Sequence, residues 1–346
     1  MSTPQQKALF LLEKFGDFAV RSTSIPTPGP GELLIKNGAA ALNPVDWKIQ
    51  KYGFAVETFP AIIGLDFAGT VEAVGEGVTA FKKGDSVVAA PTLTERQAAF
   101  QQYTIALAKY AAKLPQSISI DQAASIPAGA ITATVGLYQA EQLGAGLVAP
   151  WAPGGQAKYS KKPLLVLGGA SSVGTYAIQF AKLSGFSPII ATASPHNAAY
   201  LESLGATHVL DRHLDAASLK KEVVSITKLP IDIVYDAISE PNTQKLGYEL
   251  LADNGTLILT LPSGLGETTG SKIVKSTYGS PFAPGNEQIG EGLYVNLHGY
   301  LESGAIQPNR VEVLPGGLGG IVGGLDRLRE GKVSGAKLIV RPQETA

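Results

Sequence analysis

The stretch Pro163-Leu164-Leu165-Val166-Leu167-Gly168-Gly169-Ala170-Ser171-Ser172-Val173-Gly174 sets an apolar run, a glycine pair and the start of an amphipathic segment in immediate succession. That order reads as a strand, a tight turn and a helix N-terminus, which meets phosphate with free N–H groups and the positive end of the helix dipole. Gly168 permits the turn, Gly169 and Ala170 let the backbone approach a pyrophosphate, and Gly174 allows the helix to pack closely on the sheet. Ser171 and Ser172 add hydroxyl donors on either side of the turn's exit, just before Val173. The same glycines would also serve a turn with no ligand, but the ordered elements that follow favour a dinucleotide.

A dinucleotide held there presents its adenosine ribose to the end of the next strand, where an Asp or Glu would accept from the 2′-hydroxyl. Ala191-Thr192-Ala193-Ser194-Pro195-His196-Asn197 contains no acid. Ser194, His196 and Asn197 offer polar groups suited to a 2′-phosphate, and Arg212, beyond the third strand, can add positive charge. NADP(H) is therefore expected over NAD. The alternative, in which Ser194 and Asn197 cap the next helix and Arg212 is solvated, is compatible with phosphate binding.

Other chemistries are closed off by composition. The chain has no cysteine, which removes disulfides, thiolate catalysis and cysteine-ligated zinc or iron–sulfur sites. Its histidines, His196, His208, His213 and His298, show no paired ligand spacing, so no metal site is expected. A formal net charge of −1 supplies no basic field for nucleic acid or an anionic membrane. With no signal-peptide pattern at the N-terminus and no apolar run of about 18 residues, a cytoplasmic location is expected.

The elements that must carry these residues follow from length and periodicity. A chain of 346 residues suits two domains. Residues 7–90 read as strands broken by glycine and proline: Lys7–Leu12, Glu32–Ala41, Ala68–Val74 and Ser86–Ala90. From about residue 160, apolar runs alternate with amphipathic segments, as a parallel sheet with crossover helices requires. The expected strands are Pro163–Leu167, Pro188–Thr192, His208–Leu210, Ile231–Tyr235 and Thr256–Thr260. Helical spacing covers Val173–Ser184, Asn197–Leu204, Ala216–Thr227 and Asn242–Leu251. Gly144–Lys162 reads as an exposed insertion loop. Helices at Glu287–Ser303 and Leu318–Glu330 and a strand at Lys337–Arg341 break the alternation and are expected to return to the first domain. The expected division is 1–127, 128–284 and 285–346.

In this frame Asn43-Pro44-Val45-Asp46-Trp47-Lys48, Gly64–Val71, Val74–Val78, Lys83–Val87, Gly168–Gly174 and Leu204-Gly205-Ala206 together resemble the medium-chain dehydrogenase/reductase superfamily. The likeness covers nearly the whole chain and implies an α/β fold: a GroES-like, β-rich catalytic domain with an inserted Rossmann domain. Zinc alcohol dehydrogenases of that superfamily carry a cysteine where Asn43 stands and a His-Glu pair where this chain has Leu65-Asp66. Without a Lewis acid to polarise an alcohol oxygen, their mechanism is not expected.

Ser194–Asn197 and Asp46-Trp47-Lys48 resemble the fungal trans-acting enoyl reductases, with quinone oxidoreductases as the neighbouring group. This resemblance implies NADP contacts from Pro44, Val45, Asp46 and Trp47, from Ser171–Gly174, from Ser194–Asn197, from Arg212, and from Val333 and Ser334. Arg212 departs from the tyrosine of the pattern. The resemblance also implies that the stretch Pro127–Thr134, with Pro127, Ala128, Gly129, Ile131, Thr132 and Thr134, approaches the substrate.

Reducing an activated alkene needs hydride, a donor for the developing charge on oxygen, and a proton. Lys48, Tyr52, Asn43 and Thr132 are the candidate donors; Lys48 and Tyr52 are the catalytic pair, with Lys48 also placed to hold cofactor ribose or phosphate. Tyr52 packed on the cleft wall, with solvent giving the proton, is the competing account. The expected activity is an NADPH-dependent, zinc-independent enoyl or enone reductase. A quinone reductase and a non-catalytic NADPH-binding protein are the alternatives. The expected partners are a small unsaturated carbonyl or quinone and, by resemblance, a polyketide synthase; a monomer and a homodimer both stay open.

Overall fold

A computed structural model describes residues 4–90, 94–140, 142–268 and 270–346. Two compact units are present, one formed by the chain up to residue 128 with 294–302 and 308–346, the other by 129–293 with 303–307.

In the first unit, among the described residues, strand Glu32–Ala41 is central to a seven-stranded sheet. Asp66–Val74 and Tyr103–Leu107 pair with it antiparallel, and the late strand Lys337–Val340 joins its C-terminal end, Ile339 opposite Ala41. Ala41 also faces Asp66 across the other edge. Three chain segments distant in sequence thus meet at one end of one strand. A smaller sheet of Gln5–Leu11, Phe18–Ser24 and Ala61–Ile62 completes the unit. Leu9, Leu33, Ile35, Phe67, Val71, Phe100 and Leu338 fill its core. Burial of such side chains contributes roughly 1.5–3 kcal/mol apiece.

The strand Glu32–Ala41 leads directly into the helix Pro44–Tyr52. Proline at the first helical position costs no hydrogen bond there, and Gly53 ends the helix in the left-handed region at φ 63°. Nine residues with five charged or polar side chains gave no clear apolar stripe, so the period did not announce this helix.

In the second unit a six-stranded sheet runs in the order His208–Asp211, Ile189–Ala193, Leu164–Leu167, Ile233–Asp236, Thr256–Leu259, Ile273–Ser276 among the described residues. Every pairing is parallel. Numbered along the unit, this is the doubly wound order 3-2-1-4-5-6, in which ligands bind where the order reverses. The five expected strands are present within two residues at each end. The sixth, Ile273–Ser276, was missed because an edge strand only partly covered has no continuous apolar run. The helix Pro127–Tyr138 was also not anticipated: it is apolar on all sides and mostly buried, so it shows no amphipathic period.

Residues 144–162 form irregular turns, largely exposed over 153–162 as expected, but the segment is anchored rather than free. Trp151 packs edge-on against Tyr138 at 5.4 Å and Phe180 at 6.2 Å, and Gly292 leaves room for its indole. Tyr159 stacks on Phe186 at 5.0 Å and its hydroxyl accepts from the Val148 N–H. Two aromatic anchors therefore tie the insertion down.

Candidate functional site

In the parallel-sheet unit the turn after Leu164–Leu167 has the conformation that phosphate binding needs. Gly168 lies at φ 75°, which a side chain disfavours, and an added Cβ would strike Ile238. Ser171 caps the helix Ser172–Leu183 by accepting from the Gly174 N–H at 3.0 Å. A Cβ on Gly174 would collide with the Gly168 carbonyl, so this position admits no larger residue without moving the turn. Gly169 points its missing Cβ inward, 2.9 Å from the Ala191 methyl and 3.1 Å from Leu201, so its smallness serves helix-on-sheet packing. Ser171, Ser172 and Val173 stay half-buried at the mouth of the turn.

Thr192, which the sequence reading passed over, fixes this turn. Its hydroxyl accepts from the Gly168 N–H at 3.0 Å and its carbonyl from the Gly169 N–H at 2.8 Å. Beside it the buried Asp236 accepts from the Ile238 and Ser239 N–H groups at 3.0 and 2.8 Å. Burial raises the Asp236 carboxyl above the usual range, against the opposing pull of the Ser239 N–H.

At the end of the second strand, neither Ser194 nor Asn197 spends its side chain on a helix cap. Asn197 is buried, its amide 3.2 Å from Nε2 of the exposed His196. The Arg212 N–H donates to the Ala193 carbonyl, which sets the exposed Arg212 alongside Ser194 across two neighbouring strands. Hydroxyl, amide and guanidinium gather there as a donor set that fits a 2′-phosphate, with no acid on the second strand itself and Asp211, opposite Ala193, the carboxylate of the neighbouring one.

The helix Pro127–Tyr138 exposes less of itself than expected. Pro127, Gly129, Ile131 and Thr134 are buried. Thr134 donates to the Ala130 and Ile131 carbonyls of its own helix, which withdraws its hydroxyl and, with Ile131, removes it from the substrate-contact set. Ala128 and Thr132 remain half-buried, and the Thr132 carbonyl accepts from the Tyr235 hydroxyl at 2.8 Å.

In the β-rich unit the residues Asn43, Asp46, Asp66 and Lys337 form one buried polar cluster. Asp46 reaches back to accept from the Asn43 N–H at 2.7 Å, holding the first turn of Pro44–Tyr52. Asn43 Nδ2 donates to Asp66 Oδ2 at 2.9 Å. Lys337 Nζ donates to Asn43 Oδ1 at 2.6 Å and pairs with Asp66 Oδ2 at 2.8 Å. Asp66 Oδ1 accepts from the Ala128 N–H at 2.6 Å. Asn43 thus has its carbonyl and one of its two amide hydrogens committed inside the cluster.

Burial pushes the Asp46 carboxyl up to about 7, aided by the nearby Asp66 charge and opposed by the Asn43 N–H and the Lys337 charge. Its Oδ1 has no hydrogen-bond partner among the described residues. The Tyr294 hydroxyl, also buried and unpartnered among them, is held well above its usual range by burial first and the Asp66 charge second.

Pro44 is exposed, while Val45, Trp47 and Lys48 are half-buried. Lys48 Nζ lies 5.7 Å from the centre of the Trp47 ring and Lys51 Nζ 5.8 Å from it. Tyr52 is 57% exposed at the opposite helix end from Asn43, its ring tilted against Trp47 at 6.0 Å. It is therefore not brought to the Asn43–Asp66 cluster. Val333 packs on the core and Ser334 is exposed, in the loop leading to Lys337.

Comparison with known proteins agrees with both units. Residues 29–116 match the alcohol dehydrogenase GroES-like domain and residues 172–273 the zinc-binding dehydrogenase domain. A trans-enoyl reductase from a Penicillium species is 31% identical, covering 98% of this chain and 99% of its own. The enoyl reductase component of lovastatin nonaketide synthase from Aspergillus terreus is 32% identical, covering 98% and 96%. Among solved structures, a mycobacterial quinone oxidoreductase is 26% identical with a TM-score of 0.73, covering 97% and 100%. A mycobacterial protein solved in complex with NADPH is 25% identical with a TM-score of 0.75 at the same coverage.

Proposed function

Because this chain is an oxidoreductase of the medium-chain dehydrogenase/reductase superfamily, similar over nearly its whole length to fungal trans-enoyl reductases, we propose that it is an NADPH-dependent, zinc-independent enoyl or enone reductase. The observation that carries the NADPH reading is the acid-free end of Ile189–Ala193, with Ser194 and Asn197 uncapping and Arg212 alongside. Bound NADPH supplies hydride from its nicotinamide to the β-carbon of the acceptor.

The chain's own residues then hold, orient and protonate. Gly168–Gly174 with Ser171 and Ser172 cradle the pyrophosphate; Ser194, His196, Asn197 and Arg212 hold the 2′-phosphate. Pro44–Trp47 with Lys48, and Val333 with Ser334, are the remaining cofactor contacts. Ala128 and Thr132 line the acceptor. Lys48 offers a cation to ribose or phosphate, and Tyr52 a solvent-refilled hydroxyl to the α-carbon. The scheme draws on no zinc: Asn43 and Asp66 are engaged with Lys337.

The names of the relatives support an acyl chain carried by a polyketide synthase as one acceptor. No helix of the described residues is long and apolar enough to cross a membrane. Fluorescence titration with NADPH and NADH, followed by enones, enoyl thioesters and quinones, tests the proposal. NADPH-selective binding with alkene reduction supports it; turnover of quinones alone reassigns the acceptor, and binding without turnover leaves a cofactor-binding protein.

A further inference from the structure

The buried cluster at Asn43 includes Lys337, to which the reductase reading assigns no part. Its members come from four places in the chain: the end of the central strand (Asn43), the first turn of the following helix (Asp46), the start of the neighbouring strand (Asp66) and the C-terminal strand (Lys337). Sheet register brings them together, because Ala41 faces Asp66 on one side and Ile339 on the other. Lys337 is 5% exposed and Asp66 fully buried. A lysine is almost never buried to this degree unless paired. Here the ammonium meets both a carboxylate and an amide oxygen.

We propose that Lys337 is a positioning residue for the reductase: its ammonium, shared between Asn43 Oδ1 and Asp66 Oδ2, sets where the Pro44–Tyr52 helix begins and where Asp66 holds the Ala128 N–H. Each link is a direct contact. Lys337 orients the Asn43 side chain at 2.6 Å, and the Asn43 backbone is tied to Asp46 at 2.7 Å, one residue before Trp47. Asp66 uses Oδ2 for Lys337 and Asn43 and Oδ1 for Ala128, so its orientation depends on the cation. Without Lys337 the cluster holds two carboxylates and no positive charge. Buried like charges resist ionising together, so one carboxyl must take a proton or the helix start must move.

The groups that face Asp46 and Asp66 are Lys337, the Asn43 amide and the Tyr294 hydroxyl. Above neutral pH the ionised Asp46 adds a second buried negative charge beside Asp66 with no cation between them, whereas below it the protonated Asp46 leaves Asp66 alone. The Lys337→Met protein should therefore fail most above neutral pH and recover toward pH 6. This follows in sign, since the Lys337 charge lowers the Asp46 carboxyl and its removal raises it further.

The inference rests on the proposed contact between Pro44–Trp47 and NADPH only for its effect on binding. Trp47 sits on the positioned helix, and Trp47 and Trp151 are the chain's two tryptophans. In a Trp151→Phe background, cofactor-free Trp47 emission and acrylamide quenching report the helix without reference to any ligand. The test compares parent, Lys337→Met, Lys337→Arg and the Asp66→Asn/Lys337→Met double variant between pH 6 and 8.5, by Trp47 emission and by NADPH titration. The double variant, which removes the Lys337–Asp66 pair together and leaves Asp46 as the cluster's one carboxyl, guards against Lys337→Met simply unfolding.

The expected result is a shifted, more quenchable Trp47 and an NADPH affinity at least tenfold weaker in Lys337→Met at pH 8.5, both effects smaller at pH 6. Lys337→Arg should follow the parent, and the double variant should depend on pH less steeply than Lys337→Met, since Asp46 then titrates without the Asp66 charge beside it. Unchanged Trp47 emission in folded Lys337→Met, or an equal loss at every pH, overturns the proposal. If Trp47 responds as expected while no variant, the parent included, binds NADPH, the positioning role stands and the cofactor reading fails.

Discussion

Lys337 Nζ lies 2.8 Å from Asp66 Oδ2 with both side chains sealed from solvent. Removing one partner of such a pair leaves an uncompensated buried charge, which typically costs about 3–5 kcal/mol, whereas replacing both with neutral groups costs far less. Lys337→Met should therefore lower the urea-unfolding free energy at pH 8 by about that amount, and the Asp66→Asn/Lys337→Met protein should regain most of it. Equal losses in the two proteins would show that the pair contributes through packing alone.

A second prediction concerns pH. The folded Asp46 carboxyl, near 7, lies above its ordinary value, so between pH 4 and 7 the native state binds a proton that the unfolded state has released. Its contribution to stability is full below about pH 4, declines as pH rises to about 7 and is lost beyond. The slope is bounded by about 1.4 kcal/mol per pH unit. Subtracting the urea stability of Asp46→Asn from that of the parent across pH 5–8 should give a difference that falls with pH. A flat difference would place the proton elsewhere in the cluster.

The glycine turn makes a third. A Cβ on Gly174 meets the Gly168 carbonyl, which cannot rotate away as a side chain could. Gly174→Ala should destabilise the protein by roughly 1–3 kcal/mol and abolish NADPH binding in a fluorescence titration. Full cofactor affinity in a folded Gly174→Ala protein would remove this turn from the site.

Cofactor selectivity tests the strand end. If Arg212 pairs with the 2′-phosphate, Arg212→Ala removes a charge-assisted contact worth roughly 1.5–3 kcal/mol. NADPH affinity should then fall about 10- to 150-fold with NADH affinity unchanged, and Ser194→Asp should shift preference toward NADH. Parallel losses for both nucleotides would mean that Arg212 supports the fold and does not read the phosphate.

Tyr52 offers the clearest catalytic test. General acid catalysis contributes about 10²–10⁴ in rate, so Tyr52→Phe should lower kcat at least about 100-fold if its hydroxyl donates the proton. A change under about threefold would assign that proton to water, in keeping with a ring that is 57% exposed.

Much of this molecule was written locally. The strand–glycine–helix order at Leu164–Gly174 and the βα alternation after it are short-range patterns, so the doubly wound sheet and its phosphate turn could be read from residue types alone. The same holds for the acid-free end of the second strand, where a missing Asp is as legible as a present one. Aromatic anchoring of residues 144–162 was not, because the partners of Trp151 and Tyr159 lie on other elements.

The polar cluster marks the limit. Nothing near Lys337 distinguishes it from a surface lysine at the start of a strand, and its partner Asn43 is 294 residues away. Nor do Thr134 and Ile131 advertise in sequence that they face inward from a helix without a polar face. Local chemistry determined which elements exist and which turn can hold a phosphate. Only sheet register, which pairs Ala41 with Asp66 on one side and Ile339 on the other, decided which side chains share a buried space and hence which charges must neutralise one another.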